Sequence, residues 1–129
     1  MYFGSPDNQI KYEFSGPWNL DTWVAPRLAA VYIIMVYDRT CTPQPYRAIY
    51  VGETQDLSTR GFPNSHHAST RWRAEASRIG SPLYVAYHAP AEAIHDGYRT
   101  RVESYLETTY NPICSGSLLQ ALLPIIGRH

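Results

Sequence analysis

The segment Tyr46–Gly61, YRAIYVGETQDLSTRG, closes an apolar run on Tyr50, Val51 and Gly52 and places Arg60 ten residues after Tyr50. A guanidinium is planar, permanently charged and forked, so it suits bidentate contact with phosphate or carboxylate. More arginine follows in RWRAEASR, where Arg71, Arg73 and Arg78 share a short segment with Trp72. On a helix, Arg71 and Arg78 would share a face, and guanidinium groups beside an indole suit phosphate contact together with base stacking. A solvated amphipathic face is the rival reading. Between these arginines lie His66 and His67, metal ligands by residue type but lacking HxxxH or cysteine partner spacing, so a surface-loop pair is the alternative. Glu103 stands one helical turn after Arg99, where an i,i+4 ion pair is the plain alternative to chemistry. Glu107 is a competing carboxylate on the same face. His88 and His95 have no comparable context.

These side chains need elements to position them. Ala29–Asp38, AAVYIIMVYD, is β-branched and aromatic with no polar residue before Asp38, the pattern of a strand covered on both faces. RTCTPQPY carries two prolines and reads as a loop, after which Arg47–Val51 resumes as a second strand, antiparallel to the first. Asp56 is a candidate N-cap for a short helix stopped at Gly61. Ala68–Gly80 reads as a second helix closed by Gly80, and PLYVAYHA as a third strand. Pro90 suits a first helical turn, and a long helix is expected from there to Tyr110, with Ile94, Tyr98, Val102, Tyr105 and Leu106 on one stripe. Asn111-Pro112 ends it, because a residue before proline is pushed out of the helical region. Residues 1–27 are rich in proline, glycine and aromatics, with a short strand near Ile10–Phe14 as the clearest element. The tail from 116 to 129 is apolar around Leu118–Ile126. It either packs back on the domain or offers a surface for a homodimer or a protein partner.

At 129 residues, with 44% hydrophobic and 17% charged content, the chain can bury a core without staples. Its formal net charge of zero excludes a strong global field for nucleic acid, so any phosphate contact must come from local clusters of its ten arginines. Two cysteines, Cys41 and Cys114, are too few for a disulfide framework and lack metal spacing. The N-terminus lacks the basic and apolar regions of a signal peptide, and no apolar run approaches the ~20 residues of a membrane span. The expectation is a cytoplasmic protein without membrane association.

The order strand–strand–helix–helix–strand–helix, with Ala30-Val31-Tyr32 in the first strand and Tyr50-Val51-Gly52 closing the second, resembles the GIY-YIG nuclease family. Arg60 in GETQDLSTR resembles the family's helix-borne arginine. FPNSHH resembles its histidine-bearing segment, and Glu103 in VESYLETTYNP its glutamate ahead of a Tyr/Asn-Pro ending. The match spans roughly residues 28–115. Ala30 replaces the first glycine, Ser115 stands where an asparagine is common, and the gap from Tyr32 to Tyr50 is enlarged.

The resemblance implies an α/β (α+β) fold with a central antiparallel sheet of about three strands flanked by helices. It implies an endonuclease hydrolysing phosphodiester bonds, with DNA the foremost substrate. Glu103 would hold a divalent metal, Mg²⁺ first and Mn²⁺ second; Mg²⁺ keeps several waters and accepts few protein ligands. Arg60 would clamp the scissile phosphate and Tyr50 would act as general base beside Tyr32. One of the two histidines, His67 in preference to His66, would contact phosphate or relay a proton. A phenol begins near pKa ~10, so Tyr50 needs nearby positive charge to ionise. Gly52 would keep the pocket floor free of a side chain. Substrate would be met by Gly52, Arg71, Trp72, Arg73 and Arg78. A catalytically silent nucleic-acid-binding module and a protein-interaction domain are the rival readings.

Overall fold

A computed structural model describes residues 1–5, 7, 9–42, 44–59, 62 and 66–112. Arg60, Gly61, Cys114, Ser115 and the apolar tail at 116–129 lie outside the described residues. The fold is mixed α+β, with one antiparallel sheet of four strands and a second of two. β1 (Tyr2–Gly4) and β2 (Lys11–Glu13) form the small ribbon. β3 (Ser15–Asn19), β4 (Ala30–Tyr37), β5 (Tyr46–Thr54) and β6 (Leu83–His88) form the main sheet in the order β3-β6-β4-β5.

The sheet has one strand more than the three expected, because β3 pairs with β6 and extends the sheet on that side. The first 27 residues are thus not merely an arm. β4 and β5 form the anticipated hairpin, with Tyr32 opposite Gly52 and Ile34 opposite Tyr50. From Ala30 to Val36 β4 is buried at every position, as its unbroken apolar run requires.

α1 (Ser69–Ile79) covers one face, where Trp72 and Ala76 pack with Tyr32, Ile34, Tyr50 and Val85. Gly80 closes α1 in the left-handed conformation, φ 80°, and donates its N–H to the Ala76 carbonyl. The opposite face is covered by α2 (Asp96–Tyr110), whose Val102 and Leu106 pack with Val31, Ile33, Val51 and Phe14.

Two expected helices differ. After β5 the described residues form turns in which the Asp56 carboxylate accepts the Ser58 backbone N–H at 2.9 Å; the capping chemistry is present, but it caps a turn. The helix expected from Pro90 is broken at His95, which is extended at φ −94°, ψ 128° between a 3-10 turn at Ala91–Ile94 and α2. The break takes Ile94 off the buried stripe, and it is 70% exposed. α2 ends on Asn111 in the left-handed region, φ 46°. No helix among the described residues is long and apolar enough to cross a membrane.

Candidate active site

The hairpin β4–β5 brings Tyr32 and Tyr50 together on one face, with stacked rings 6.1 Å apart. Gly52 makes that possible. A Cβ at position 52 would lie 2.5 Å from both Cζ and Oη of Tyr32 and 2.9 Å from Tyr50 Cε2, distances that real Cβ atoms do not adopt. Gly52 therefore makes room for the two phenols rather than for substrate. Its φ is not in the left-handed region, so the requirement is steric and not conformational.

His66 enters from the segment ahead of α1. Its Nε2 lies 3.4 Å from the Tyr50 hydroxyl, and its Nδ1 accepts the Ala68 backbone N–H at 3.0 Å. In a neutral imidazole one nitrogen donates and the other accepts. With Nδ1 accepting, the proton sits on Nε2, so His66 donates toward the Tyr50 oxygen. Burial, and then the neighbouring His67, push His66 down to about 4, so it is uncharged at neutral pH. It therefore supplies a hydrogen bond and not the positive charge that the phenol was expected to need. His67 is exposed and stacks on His66 with ring centroids 4.3 Å apart. The histidine that reaches the phenols is His66, not His67.

Burial is also the main influence on the tyrosines. It drives Tyr32 well above the ordinary phenol value, with Tyr50 and then Glu103 adding to the rise. Tyr50 is pushed up to about 12, by burial first and the Glu103 charge second, while Tyr32 acts in the opposite direction. His66 is the donor that points at the Tyr50 oxygen, with the Tyr32 ring stacked beside that of Tyr50. Both phenols are neutral at neutral pH, and Tyr50 is the less strongly raised of the two.

Glu103 comes from α2, and its charge acts on both tyrosines. Half-buried, it is itself raised to about 7, by burial first and then by repulsion from Glu107 and Glu53. The Arg99–Glu103 ion pair, the plain alternative to chemistry at Glu103, is replaced by another arrangement. Arg99, 2% exposed, donates from Nε to Glu53 at 2.7 Å and from Nη1 to the Ala93 carbonyl at 2.8 Å, and its Nη2 meets Asp96. This buried guanidinium ties α2 to the β5 residue next to Gly52 and so sets where Glu103 stands. The sequence offered Arg99 only as a partner for Glu103; its bonds to Glu53, the Ala93 carbonyl and Asp96 had no sequence signal.

The donor set fits a hard divalent cation. Glu107 and Glu53 raise the Glu103 carboxyl, and a cation at Glu103 would relieve that repulsion. Among the described residues no group of three or more His, Cys, Asp or Glu could alone hold a metal. An ion bound at Glu103 would therefore keep water or substrate oxygens in its other positions, as Mg²⁺ does.

The remaining candidates separate. Trp72 is fully buried, 5.1 Å from Tyr50 and 4.7 Å from His66 by ring centroid. It backs the tyrosine and cannot offer a face to a base, which corrects its reading as a stacking residue. Its spacing of four from Ala68 and Ala76, both buried, is the helical pattern that marks it as core. Arg78 is bound to Glu75 and Arg73 to Asp21 at 3.2 Å. Arg71 is exposed on the same helix. Exposed pairs of this kind are worth ~0–1 kcal/mol, so they do not withhold these arginines from a phosphate.

Neither a family model, nor a curated protein, nor a solved structure matches this chain.

Proposed function

We propose that this protein is a divalent-metal-dependent endonuclease of the GIY-YIG type, acting on nucleic acid, DNA foremost, in the cytoplasm. One observation carries the reading: Tyr32 and Tyr50 stack with ring centroids 6.1 Å apart, His66 Nε2 lies 3.4 Å from the Tyr50 hydroxyl, and the Glu103 charge on α2 is near enough to raise both phenols.

In this reading Tyr50 takes the proton from the attacking water. Tyr50 must first lose its own proton to solvent; His66 Nε2–H, 3.4 Å away, would stabilise that phenolate, which becomes neutral as it takes the water's proton. Glu103, with Glu53 and Glu107 nearby, would hold the cation, which when bound polarises water and neutralises charge on phosphate oxygens. Arg60, four residues beyond the Asp56 turn, is assigned the scissile phosphate by resemblance. Arg99 is a positioning residue, acting through α2 and Glu53.

Cleavage of labelled single-stranded and duplex DNA and RNA in Mg²⁺, Mn²⁺ or EDTA tests the proposal. Activity should need metal and vanish in Glu103→Ala and Arg60→Ala; wild-type rates in either variant would remove the site. A second reading draws on the burial of the phenols, with Tyr32 and Tyr50 only 3% and 7% exposed. It makes the chain a silent nucleic-acid-binding module, and nucleic-acid binding without metal-dependent cleavage would select it.

A further inference from the structure

A second cleft opens beside the phenols. Trp18 and Asn19 at the end of β3, Thr22 and Trp23 of the following loop, and Tyr87 of β6 line a space of about 430 Å³. Its walls are flat and aromatic. Trp18 is 45% exposed, and Trp23 lies 6.0 Å from Tyr87 by ring centroid. The cleft adjoins the candidate active site through packed rings: the centroids of Trp23 and Phe62 are 6.1 Å apart, and those of Phe62 and Tyr32 4.8 Å. Tyr87 is also paired directly with Tyr32 across the β6–β4 ladder.

Polar groups are few and placed at the edge. The Asn19 side-chain oxygen accepts the Asp21 N–H at 2.9 Å, which leaves its NH₂ group as the donor end. Arg73, bridged to Asp21 at 3.2 Å, stands on one side. Exposed Arg27 follows the cleft residue Pro26 in the chain. A chain of zero net charge thus carries one arginine bridged to a loop residue beside the aromatic slot and a second adjacent in sequence to its lining. Cations nearby and π-faces within complement a base with its phosphates; an apolar peptide side chain would have no use for the cations.

We propose that this cleft takes one unpaired nucleobase of a nucleic-acid strand whose neighbouring phosphate lies at the Tyr32–Tyr50 site. The preferred substrate is then a single strand, a frayed end or a branch, because a base within a continuous duplex is stacked on its neighbours and cannot enter an aromatic slot. The position of the phosphate rests on the nuclease reading; the capture of the base does not.

Tryptophan fluorescence tests it, since Trp18 and Trp23 line the cleft while Trp72 is buried elsewhere. The whole chain is titrated in EDTA with a short oligo(dT) and with a duplex of equal length closed by hairpins at both ends. Oligo(dT) should quench and saturate, and the closed duplex should bind several-fold more weakly. By fluorescence anisotropy, Trp18→Ala should weaken oligo(dT) binding by about 5- to 100-fold, the range of one lost base–aromatic stack, and Trp18→Phe should restore most of it. A circular-dichroism melt checks that Trp18→Ala folds, as substitution of an exposed edge side chain should allow. Unchanged oligo(dT) affinity in Trp18→Ala, or preference for the closed duplex, overturns the proposal. Trp18-dependent binding without Glu103-dependent cleavage would refute the nuclease reading and support the cleft. Glu103-dependent cleavage with KM indifferent to Trp18 would refute the cleft alone.

Discussion

Replacing Glu103 by glutamine should remove activity and at the same time stabilise the fold above neutral pH. The Glu103 carboxyl is raised from 4.5 to about 7 in the folded protein. An acid with a raised folded pKa binds more protons folded than unfolded across that interval. Its contribution to stability therefore falls as pH rises from ~4.5 to ~7 and stays lost above it. At ~1.36 kcal/mol per pH unit the ceiling is near 3 kcal/mol. Glu103 is only half-buried, and solvent screening reduces this to about 1–2 kcal/mol. For a chain of this size each kcal/mol moves Tm by roughly 4 °C, so about 4–8 °C is expected. The wild-type curve alone will conceal the effect. His66 is depressed to about 4, so its stabilisation is lost as pH falls from ~6.5 to ~4, the opposite slope across much of the same window. The difference between wild type and Glu103→Gln cancels the histidine. Thermal unfolding followed by circular dichroism in EDTA, from pH 4.5 to 8.5, should show the variant gaining on the wild type until pH ~7 and holding its lead. A variant that melts lower than wild type at pH 8, or a difference that does not change with pH, would refute the reasoning.

At subsaturating Mg²⁺ the slope of log cleavage rate against pH should fall by one near pH ~7, where Glu103 becomes fully ionised, while Tyr50 ionisation keeps the rate rising above it. Saturating Mg²⁺ should move this break to lower pH, because the cation competes with the proton on Glu103. Gly52→Ala should lower kcat by at least ~100-fold by displacing the Tyr32 ring, with a near-UV circular-dichroism change from the tyrosine pair and only a small loss in nucleic-acid affinity. Arg99→Ala should cost about 1–3 kcal/mol in urea unfolding, chiefly because the Ala93 carbonyl and the partly buried Glu53 lose their donor; adding Glu53→Gln should recover part of that loss. His66→Ala should reduce kcat more than His67→Ala, since only His66 Nε2 reaches the Tyr50 hydroxyl; equal losses would remove that distinction.

The elements that carry the phenols were readable because each has a strong local cause. β4 is apolar at every step, so it had to lie between two layers, and Gly80 stops α1 where a left-handed residue was needed. The break at His95 was not readable. Arg99 reaches back to accept no proton of its own but to donate to the Ala93 carbonyl, in place of the helical N–H that an unbroken helix would have supplied. No i,i+4 pattern announces that substitution of partners. β3 was missed for a related reason: Ser15–Asn19 contains Gly16 and Pro17, poor strand formers, and it is a strand because β6 presents an open edge to it. For the site, residue types and spacing singled out Tyr32, Tyr50 and Glu103, while direction was beyond them. Trp72 faces inward and His66 rather than His67 faces the phenols, outcomes set by which side of α1 meets the sheet.

The close approach at position 52 has a hereditary consequence. Phenylalanine at 32 would not relieve the crowding, because the ring carbon Cζ stands as near to the missing Cβ as the hydroxyl does. Lineages descended from this chain can therefore exchange the hydroxyl at 32 freely in steric respects, yet they must keep glycine at 52 for as long as any six-membered ring survives opposite it. Divergence at the pair has one permitted order: the ring at 32 is lost first, and the glycine can drift only once the Tyr50 ring has also shifted away from it.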